Sequence, residues 1–214
     1  MIKSIIFDFD GVIVDSVDIK TNAFVDIYNS ETKIIKEKIK NYHLQNLGIS
    51  RYNKICFFEK NFLKKNLIKN DIKIKLDKFA VEVQTRVKNS NFIDGALEFL
   101  KNYNKNYNLF ISSATPEIEL RNIILHKKIN KYFLDIYGSP TNKAQHINKI
   151  IKNYDLNKKE ILFVGDSRND FFSAKKCDLK FVGLINKYEK FNQFKYRIKN
   201  IFDLVDIISL INKN

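Results

Sequence analysis

Two aspartates near the N-terminus are the first residues whose spacing suggests chemistry. In the stretch SIIFDFDGVIVDS, residues 4 to 16, Asp8 and Asp10 lie one residue apart at the end of an apolar run that predicts a strand. Alternate side chains of an extended chain point the same way, so both carboxylates would project from one face. Because two such charges repel each other, we expect a bound cation to offset the repulsion.

Polar side chains also follow three further predicted strands. The stretch LFISSATPE places Ser112 and Ser113 at the end of one strand, and YGSPTNKAQ places Lys143 beyond the next. The stretch ILFVGDSRND supplies Asp166 and Asp170 after another. Ligands of open parallel sheets bind beyond the carboxyl ends of the strands, so we expect these groups to meet at one edge of a sheet.

Strand-like runs that alternate with helical patterns must position these groups. Predicted strands span residues 4 to 9, 108 to 113, 134 to 137, 160 to 165 and 180 to 184, and predicted helices span 94 to 104, 116 to 128, 142 to 153 and 168 to 177. The hydroxyl of Thr115, which precedes Pro116, is predicted to cap the second of these helices. The alternation indicates an α/β fold with a parallel sheet covered on both faces.

One long segment interrupts this alternation. Residues 17–92 contain no convincing strand, whereas helical patterns cover residues 51 to 66 and 71 to 88. We therefore predict a core domain of residues 1–16 and 93–214, with residues 17–92 inserted as an all-helical domain after the first strand.

The composition is that of a globular chain. It has 214 residues, of which 44% are hydrophobic, enough to bury a substantial core. No apolar run approaches the roughly 18 residues of a membrane span, and the first residues lack the features of a secretory signal. Cys56 and Cys177 suit neither a disulfide framework nor a zinc site. We expect a cytoplasmic protein with reduced cysteines.

The formal net charge of +14 raises a non-enzymatic alternative, a basic nucleic-acid-binding module. Clustered Lys and Arg residues would neutralise phosphates and release counterions. Here the lysines are spread over the whole chain, and the sequence has no zinc-finger spacing, no RNA-binding aromatic motif and no basic tail. We therefore expect no nucleic-acid partner, although a positive surface would attract small anionic substrates.

Together these motifs resemble the haloacid dehalogenase superfamily, specifically its Mg²⁺-dependent phosphatase and phosphomutase branch. Four motifs occur in the family's order, namely DxD at Asp8 and Asp10, a hydroxyl at Ser112, a lysine at Lys143, and GDxxxD through Asp166 and Asp170. The resemblance covers the core almost end to end. It implies a Rossmann-like parallel-sheet core that carries an inserted helical cap.

The resemblance assigns metal and proton chemistry to the aspartates. Asp8 would attack phosphorus as a carboxylate that needs no activating base. The side chains of Asp8 and Asp166 and the backbone carbonyl of Asp10 would hold Mg²⁺, which offsets the repulsion between nucleophile and phosphoryl group. Asp10 would protonate the leaving oxygen and later activate water, and Asp170 would orient the loop or Lys143.

The resemblance also implies contacts to the phosphoryl oxygens. The hydroxyl of Ser112 and the backbone N–H of Ser113 would hold them, together with backbone donors near Gly11. Lys143 would neutralise the charge that develops on them.

Two residues of the inserted domain are candidates for substrate contacts. The stretch LGISRYNKI resembles the cap loop of β-phosphoglucomutases, which makes Arg51 a candidate for binding the distal end of a phosphosugar. In the alternative interpretation, Gly48 and Ser50 end one helix and cap the next while Arg51 is solvated. Lys20 stands where the mutase has a histidine, and it either contacts the substrate phosphate or is merely exposed.

The expected function is Mg²⁺-dependent hydrolysis of a small phosphomonoester, of the sugar phosphate or phosphoglycolate type, through a phospho-aspartate. A sugar phosphomutase is the alternative enzyme, although Lys20 and Gly165 depart from the mutase pattern. The expected partner is a small phosphorylated metabolite and not a membrane, and we expect a monomer or weak homodimer. His43, His126 and His146 show no metal spacing, so we expect them to be solvated or packed.

Overall fold

The computed structural model describes residues 1–213 and is built around a six-stranded sheet in which all paired strands run parallel. The strand order is β3-β2-β1-β4-β5-β6. The strands are β1 (Ser4–Phe7), β2 (Asn108–Pro116), β3 (Asp135–Ser139), β4 (Ile161–Gly165), β5 (Lys180–Leu184) and β6 (Arg197–Ile198). The predicted Rossmann-like α/β fold is confirmed.

The central strands are apolar because both of their faces are covered. Strand β1 reads SIIF and β4 reads ILFVG, and every residue of both is buried. Such continuous apolar runs are typical of parallel sheets with helices on both faces. Successive residues of β1 face opposite sides, since Ile5 and Phe7 belong to one buried apolar cluster and Ile6 belongs to another.

The register of the sheet aligns the ends of the central strands. Phe7 pairs with Ile111 of β2 and with Val164 of β4. The residues that follow these positions therefore emerge at the same edge. Strand β1 ends two residues earlier than predicted because the carbonyl oxygen of Phe9 accepts hydrogen bonds from the N–H groups of Ile13 and Val14, at 2.9 and 3.1 Å, which turns the chain.

In the described part of the chain, five helices flank the sheet. They are α5 (Ala96–Tyr103), α6 (Glu117–His126), α7 (Lys143–Asn153), α8 (Arg168–Lys176) and α9 (Leu204–Lys213). Helix α9 is amphipathic, and it buries Leu204, Ile208 and Ile211. Short 3₁₀ turns at Asn130–Tyr132, Lys158–Glu160 and Ile201–Asp203 precede or follow strands and helices.

The segment between β1 and β2 is helical. It contains α1 (Val17–Asp26), α2 (Lys33–Gln45), α3 (Arg51–Phe57), a π-helical turn (Phe58–Phe62) and α4 (Lys69–Lys88). We refer to these helices as the cap, and the division at residues 16/17 and 92/93 stays a prediction. The helix predicted over 51 to 66 is shorter, because the π turn and a non-helical stretch replace its second half.

Aromatic rings fill the interior of the cap. The ring of Phe24 in α1 lies 4.3 Å from that of Phe79 in α4 and 5.7 Å from that of Phe58, measured between centroids. Offset and edge-to-face pairs of this kind add to the stabilisation from burial. The buried apolar cluster that contains these rings continues to Phe7 and Phe99 beside the sheet, so the cap packs on the core without a break.

Within residues 1–213, no helix is both long enough and apolar enough to cross a lipid bilayer.

Candidate active site

Three buried carboxylates converge at the ends of β1 and β4. Asp8 follows β1, Asp166 follows β4, and Asp170 lies in the first turn of α8. One carboxylate oxygen of each lies within 4.8 Å of the others, and all three residues are at most 3% exposed. The parallel register of β1 and β4 therefore produces the predicted meeting of carboxylates at one sheet edge.

Local capping holds Asp170 in place. Ser167 caps α8, and Asp170 closes a capping box, with its Oδ2 accepting from the N–H and the hydroxyl of Ser167 at 3.1 and 2.6 Å. Its Oδ1 accepts from Lys143. Since both oxygens are occupied by the protein, Asp170 is suited to positioning Lys143 and the loop, as the resemblance implied.

Lys143 joins the carboxylates into one network. It opens α7, whose N-terminus is capped by Asn142, and its Nζ lies 2.7 Å from Oδ2 of Asp8. Burial opposes its charge, yet Asp170 and Asp8 raise the pKa of the ammonium above its ordinary value. Lys143 is therefore a firmly charged donor at the site.

The cluster is short of positive charge, since three carboxylates face one ammonium. Burial, reinforced by the charge of Asp170 and opposed by Lys143, raises the pKa of Asp8 to about 7. Burial and the neighbouring Asp8 raise the pKa of Asp166 well above its ordinary value. Within residues 1–213 no Lys, Arg or His lies within 4 Å of the Asp166 carboxylate, and Asn186 donates to its Oδ2 at 3.3 Å. Such hard oxygen ligands fit a divalent cation such as Mg²⁺.

Asp10 faces a different set of partners. Its Oδ1 accepts from Ser16 at 2.7 Å, and its Oδ2 lies 2.6 Å from Nζ of Lys20 and 2.9 Å from the hydroxyl of Thr115. Burial opposes ionisation, but Lys20 and the hydroxyl donors hold the pKa of Asp10 below its ordinary value. The side chain is thus ionised and directed to the start of the cap.

Lys20 is not merely exposed. Its ammonium spans from Asp10 to the hydroxyl of Thr115, at 2.8 Å, and only 16% of its side chain is exposed. Lys20 lies in the first turn of α1, at the start of the cap, while Thr115 belongs to β2. The lysine therefore ties the cap to the candidate proton-transfer aspartate.

Ser112 is turned away from the carboxylates. Its Oγ lies 2.9 Å from Nδ1 of the buried His146, whose Nε2 lies 3.0 Å from the carbonyl oxygen of Gly138. Burial lowers the pKa of His146 to about 4, so the ring is neutral. Its Nε2 then donates to Gly138 and its Nδ1 accepts from Ser112. This geometry corrects the predicted role of the Ser112 hydroxyl, which is already engaged by His146.

The hydroxyls that face the site belong to Ser113 and Thr115. Successive side chains of a strand alternate, so Ser113 points opposite to Ser112, and its Oγ donates to Asp10 at 3.3 Å. The prediction that Thr115 caps α6 is wrong, because β2 runs to Pro116 and the Thr115 hydroxyl is bonded to Asp10. The alternating hydroxyls in SSAT are the sequence signal for both residues.

Gly11 is a steric requirement of the site. Its φ is +79°, and a Cβ there would lie 2.1 Å from Oδ2 of Asp166. Its N–H donates to the carbonyl oxygen of Val14 at 2.8 Å, and the predicted phosphate contact from backbone donors near Gly11 stays a prediction. Gly11 lets the β1 turn approach Asp166 closely.

Arg51 joins the cap to the core. Its guanidinium forms a bidentate ion pair with Glu119 of α6, in which Nη1 lies 3.0 Å from Oε2 and Nη2 contacts Oε1. Only 14% of its side chain is exposed, so it is not solvated; because it also lines the cavity between cap and core, its predicted substrate contact stays a prediction. Ser50 does cap α3, as the alternative interpretation proposed, and its Oγ accepts from the N–H of Asn53 at 3.3 Å.

A second contact joins the cap to the edge of the sheet at which Asp8 and Asp166 lie. The side-chain amide of Asn169 in α8 donates to the carbonyl oxygen of Leu47 in the cap at 2.6 Å. Next to it, Gly48 has a φ of +81°, and a Cβ there would lie 2.9 Å from Oγ of Ser167 and 3.6 Å from Nζ of Lys143. The cap loop therefore lies directly on the network around Lys143.

A small cavity remains between cap and core. Its volume is about 60 Å³, room for only a few water molecules or a small ligand, since one water needs about 10–15 Å³. Asp8, Asp10 and Asp166 line it from the core, and cap residues line the other side. Among the latter are Lys54 and His43, which sequence reasoning did not assign to the site. A lone lysine inside a helix and a histidine without metal spacing carry no sequence signal for such a role.

The chain belongs to the haloacid dehalogenase-like hydrolase family, whose sequence model matches residues 5–184. A search of curated protein sequences found no match. This match confirms the resemblance to the haloacid dehalogenase superfamily that the aspartate motifs indicated.

Solved structures of this fold cover nearly the whole chain at low identity. A predicted phosphoglycolate phosphatase of Haemophilus somnus is 21% identical, with a TM-score of 0.78 and coverage of 97% of this chain and 98% of that one. A β-phosphoglucomutase of Clostridium difficile is 19% identical, with a TM-score of 0.79 and coverage of 100% and 98%. A HAD hydrolase of Bacillus subtilis bound to magnesium is 16% identical, with a TM-score of 0.73 and coverage of 97% and 99%.

Proposed function

We propose that the protein is a Mg²⁺-dependent phosphatase that hydrolyses a small phosphomonoester through a phospho-aspartate at Asp8. The observation that carries the proposal is the buried cluster of Asp8, Asp166 and Asp170 around Lys143. The match to the hydrolase family and the likeness to phosphatase structures support it.

The side chains of Asp8 and Asp166 and the backbone carbonyl of Asp10 would hold Mg²⁺. When bound, the ion supplies the positive charge that lets an anionic nucleophile approach an anionic phosphoryl group. These residues fit Mg²⁺ because the cluster has more carboxylates than ammonium groups.

Asp8 is oriented for attack by two neighbours. Its Oδ1 accepts from the N–H of Phe9 at 2.7 Å, and its Oδ2 is held by Lys143. In the first step an Asp8 oxygen forms a bond to phosphorus while the bond to the leaving oxygen breaks. Lys143 and the hydroxyl of Ser113 stabilise the negative charge on the transferring oxygens.

Asp10 moves the protons. In the first step the leaving oxygen takes a proton from the Asp10–Lys20 pair, in which the Lys20 ammonium carries the proton, and in the second step Asp10 takes a proton from the attacking water and restores the pair. The 2.6 Å separation between Asp10 and Lys20, with Thr115 beside them, supports this role. In this proposal Lys20 contacts Asp10, the residue that transfers protons, rather than the substrate phosphate.

Asp8→Asn tests the proposal, because it removes the nucleophile while almost conserving volume. Hydrolysis of p-nitrophenyl phosphate should fall by several orders of magnitude, and EDTA should abolish the activity of the wild type. Asp15→Asn, at an exposed carboxylate outside the cluster, is the matched control and should keep wild-type activity. Equal activity in Asp8→Asn, or activity unaffected by EDTA, would refute the proposal.

A sugar phosphomutase would share the first step but return the phosphoryl group to a second hydroxyl of the substrate. The likeness to a β-phosphoglucomutase structure keeps this second candidate open. Product analysis with hexose phosphates separates the two, because a mutase shifts the phosphate between positions without releasing it. Salt-sensitive retention on DNA that Asp8→Asn leaves unchanged, with no phosphatase activity, would instead favour a nucleic-acid-binding module.

A further inference from the structure

Among the described residues, one cation that lines the cavity has no carboxylate partner. Three basic side chains line it from the cap, of which Lys20 pairs with Asp10 and Arg51 pairs with Glu119. Within residues 1–213, no carboxylate oxygen lies within 4 Å of the ammonium of Lys54. Buried lysines without a negative partner are rare, because removing an ammonium from water is costly.

Lys54 is buried beside an aromatic ring. The residue is 2% exposed, and its Nζ lies 5.5 Å from the centroid of the Phe24 ring. Its one hydrogen-bond partner among the described residues is His43, whose Nδ1 lies 2.7 Å away. Burial lowers the pKa of Lys54 to about 7, against the attraction of Asp10 and Asp166. A leucine or methionine would fill this space without that desolvation cost, so packing does not explain the lysine.

His43 adds an unmatched donor. It is 3% exposed, and its Nε2 makes no hydrogen bond of standard distance and angle within the described part of the chain, although the ring also interacts with the backbone of Val17. Burial and the charges of Lys54 and Lys20 lower the pKa of His43 well below 6.5, with the backbone of Val17 acting in the opposite direction. The neutral ring accepts from Lys54 at Nδ1, so its proton is on Nε2. Buried donors without acceptors are uncommon and call for a ligand.

We propose that Lys54 and His43 form a subsite for a carboxylate, or a similarly small anionic group, at the end of the substrate remote from the phosphoryl group. This inference rests on the proposed phosphatase function and names its substrate class as small phosphorylated carboxylic acids. The carboxylate would accept from the Lys54 ammonium and from Nε2–H of His43.

The size of the cavity favours a small group. The cavity that Lys54 and His43 line has a volume of about 60 Å³, which suits a small anionic group. On the cap side of the same space, Phe24, Phe79 and Val83 are apolar, and Gln84 is an uncharged polar side chain. Arg51 lines the same cavity, but its guanidinium is bound to Glu119, whereas no carboxylate among the described residues pairs with Lys54.

Two substrates that differ in one group test the subsite. Phosphoglycolate and ethyl phosphate share the phosphoester, but only phosphoglycolate carries a carboxylate at the far carbon. The wild type is expected to have a kcat/KM for phosphoglycolate that is about ten- to hundredfold higher, since a hydrogen-bonded charge contributes on that scale. Lys54→Met should remove most of this preference through KM and leave ethyl phosphate within about threefold.

Controls separate the subsite from folding and from the chemistry. His43→Leu should weaken the preference in the same direction, while Lys60→Met, at an exposed lysine of the cap, should leave it unchanged. Calorimetric binding of phosphoglycolate to Asp8→Asn, with and without Lys54→Met, gives a readout that needs no turnover. The added substitution should weaken this binding about tenfold or more.

The outcomes distinguish the two proposals. If Asp8→Asn retains wild-type activity, the phosphatase proposal fails and the subsite fails with it. If the wild type hydrolyses both esters equally well, or prefers a hexose phosphate, the phosphatase proposal stands and the subsite is wrong. The subsite is equally wrong if Lys54→Met lowers kcat/KM for both esters to the same extent, or leaves binding to Asp8→Asn unchanged.

Discussion

At the scale of single residues, the two aspartates that follow β1 differ in the lysine with which each pairs. Asp8 is held by Lys143 from α7, whereas Asp10 is held by Lys20 from α1. Their pKa values consequently move in opposite directions, that of Asp8 up to about 7 and that of Asp10 below its ordinary value. The raised pKa of Asp8 is that of the metal-free site, and Mg²⁺ held by this carboxylate would favour the ionised form that bonds phosphorus, whereas Asp10 is kept ionised beside the ammonium of Lys20.

The adjacent serines of β2 provide a matched pair of substitutions. Ser113→Ala should lower kcat/KM by about 10²-fold, because it removes a hydroxyl beside Asp10 that we assign to the transferring oxygens. Ser112→Ala should spare kcat/KM but lower the free energy of unfolding by about 1–3 kcal/mol, since it leaves the buried Nδ1 of His146 without a donor. Steady-state kinetics and urea unfolding of both variants check this. The reverse pattern would restore Ser112 as the phosphate contact.

Gly11 supports a second prediction at this scale. Gly11→Ala should weaken Mg²⁺ binding and destabilise the fold by more than about 1–2 kcal/mol, because a positive φ and a clash with Asp166 act together. Calorimetry with Mg²⁺ and thermal unfolding measure the two effects. Unchanged Mg²⁺ affinity would show that the turn and Asp166 are not coupled.

The sequence was informative for some of these residues and not for others. DxD and GDxxxD contain carboxylates at fixed spacing after clear apolar strands, so Asp8, Asp10, Asp166 and Asp170 could be named. The run SSAT offers three hydroxyls, and which of them face the site depends on the residue at which β2 ends. Lys54 of α3 and His43 of α2 meet only through the tertiary arrangement of the cap, which no local pattern reveals.

At the scale of elements, a few polar contacts hold the cap closed on the core. Arg51 of α3 pairs with Glu119 of α6, and Asn169 of α8 donates to Leu47. The helical character of the cap followed from its periodicity, but these contacts join segments far apart in sequence. The role of Arg51 therefore could not be read from its motif, since the partner lies 68 residues away along the chain.

A double-mutant cycle measures the closure contact. Arg51→Met and Glu119→Gln should each lower the free energy of unfolding, and together they should cost less than the sum, with a coupling of about 0.5–3 kcal/mol. The pair is mostly but not fully buried, which places the expected coupling above that of exposed ion pairs. Urea unfolding of the four proteins gives the coupling, and Arg86→Met with Glu82→Gln, an exposed pair, is the comparison. Additive effects of Arg51 and Glu119 would mean that the pair does not hold the cap.

At the scale of the whole molecule, the electrostatics of surface and site are opposite. The chain has a net charge of +14, yet its catalytic edge is a cluster of buried carboxylates. A positive molecule attracts anionic metabolites from solution, whereas the acidic cluster selects a cation for the place where phosphate must react. Composition alone could not distinguish this arrangement from a nucleic-acid-binding surface.

This arrangement predicts how Mg²⁺ and pH together set the stability of the protein. Burial raises the pKa of Asp8 to about 7 and that of Asp166 well above its ordinary value. An acid whose folded pKa is raised opposes folding once the pH exceeds its unfolded pKa, and this cost grows until the pH passes the folded pKa. Without metal, these two groups therefore make the protein less stable at pH 8 than at pH 5.

Mg²⁺ binds the ionised carboxylates, so at lower pH it must displace their protons. The increase in Tm caused by Mg²⁺ should accordingly be larger at pH 8 than at pH 6. At a concentration 100 times its Kd, the ion contributes about 2.7 kcal/mol, or roughly 5–10 °C for a chain of this size. Calorimetric scans with Mg²⁺ and with EDTA at both pH values measure the difference, with Asp15→Asn as control and Asp8→Asn expected to lose most of the shift. An increase in Tm that is the same at pH 6 and pH 8 would contradict the raised pKa values. If Mg²⁺ raised the Tm at neither pH, the carboxylate cluster would not be a Mg²⁺ site.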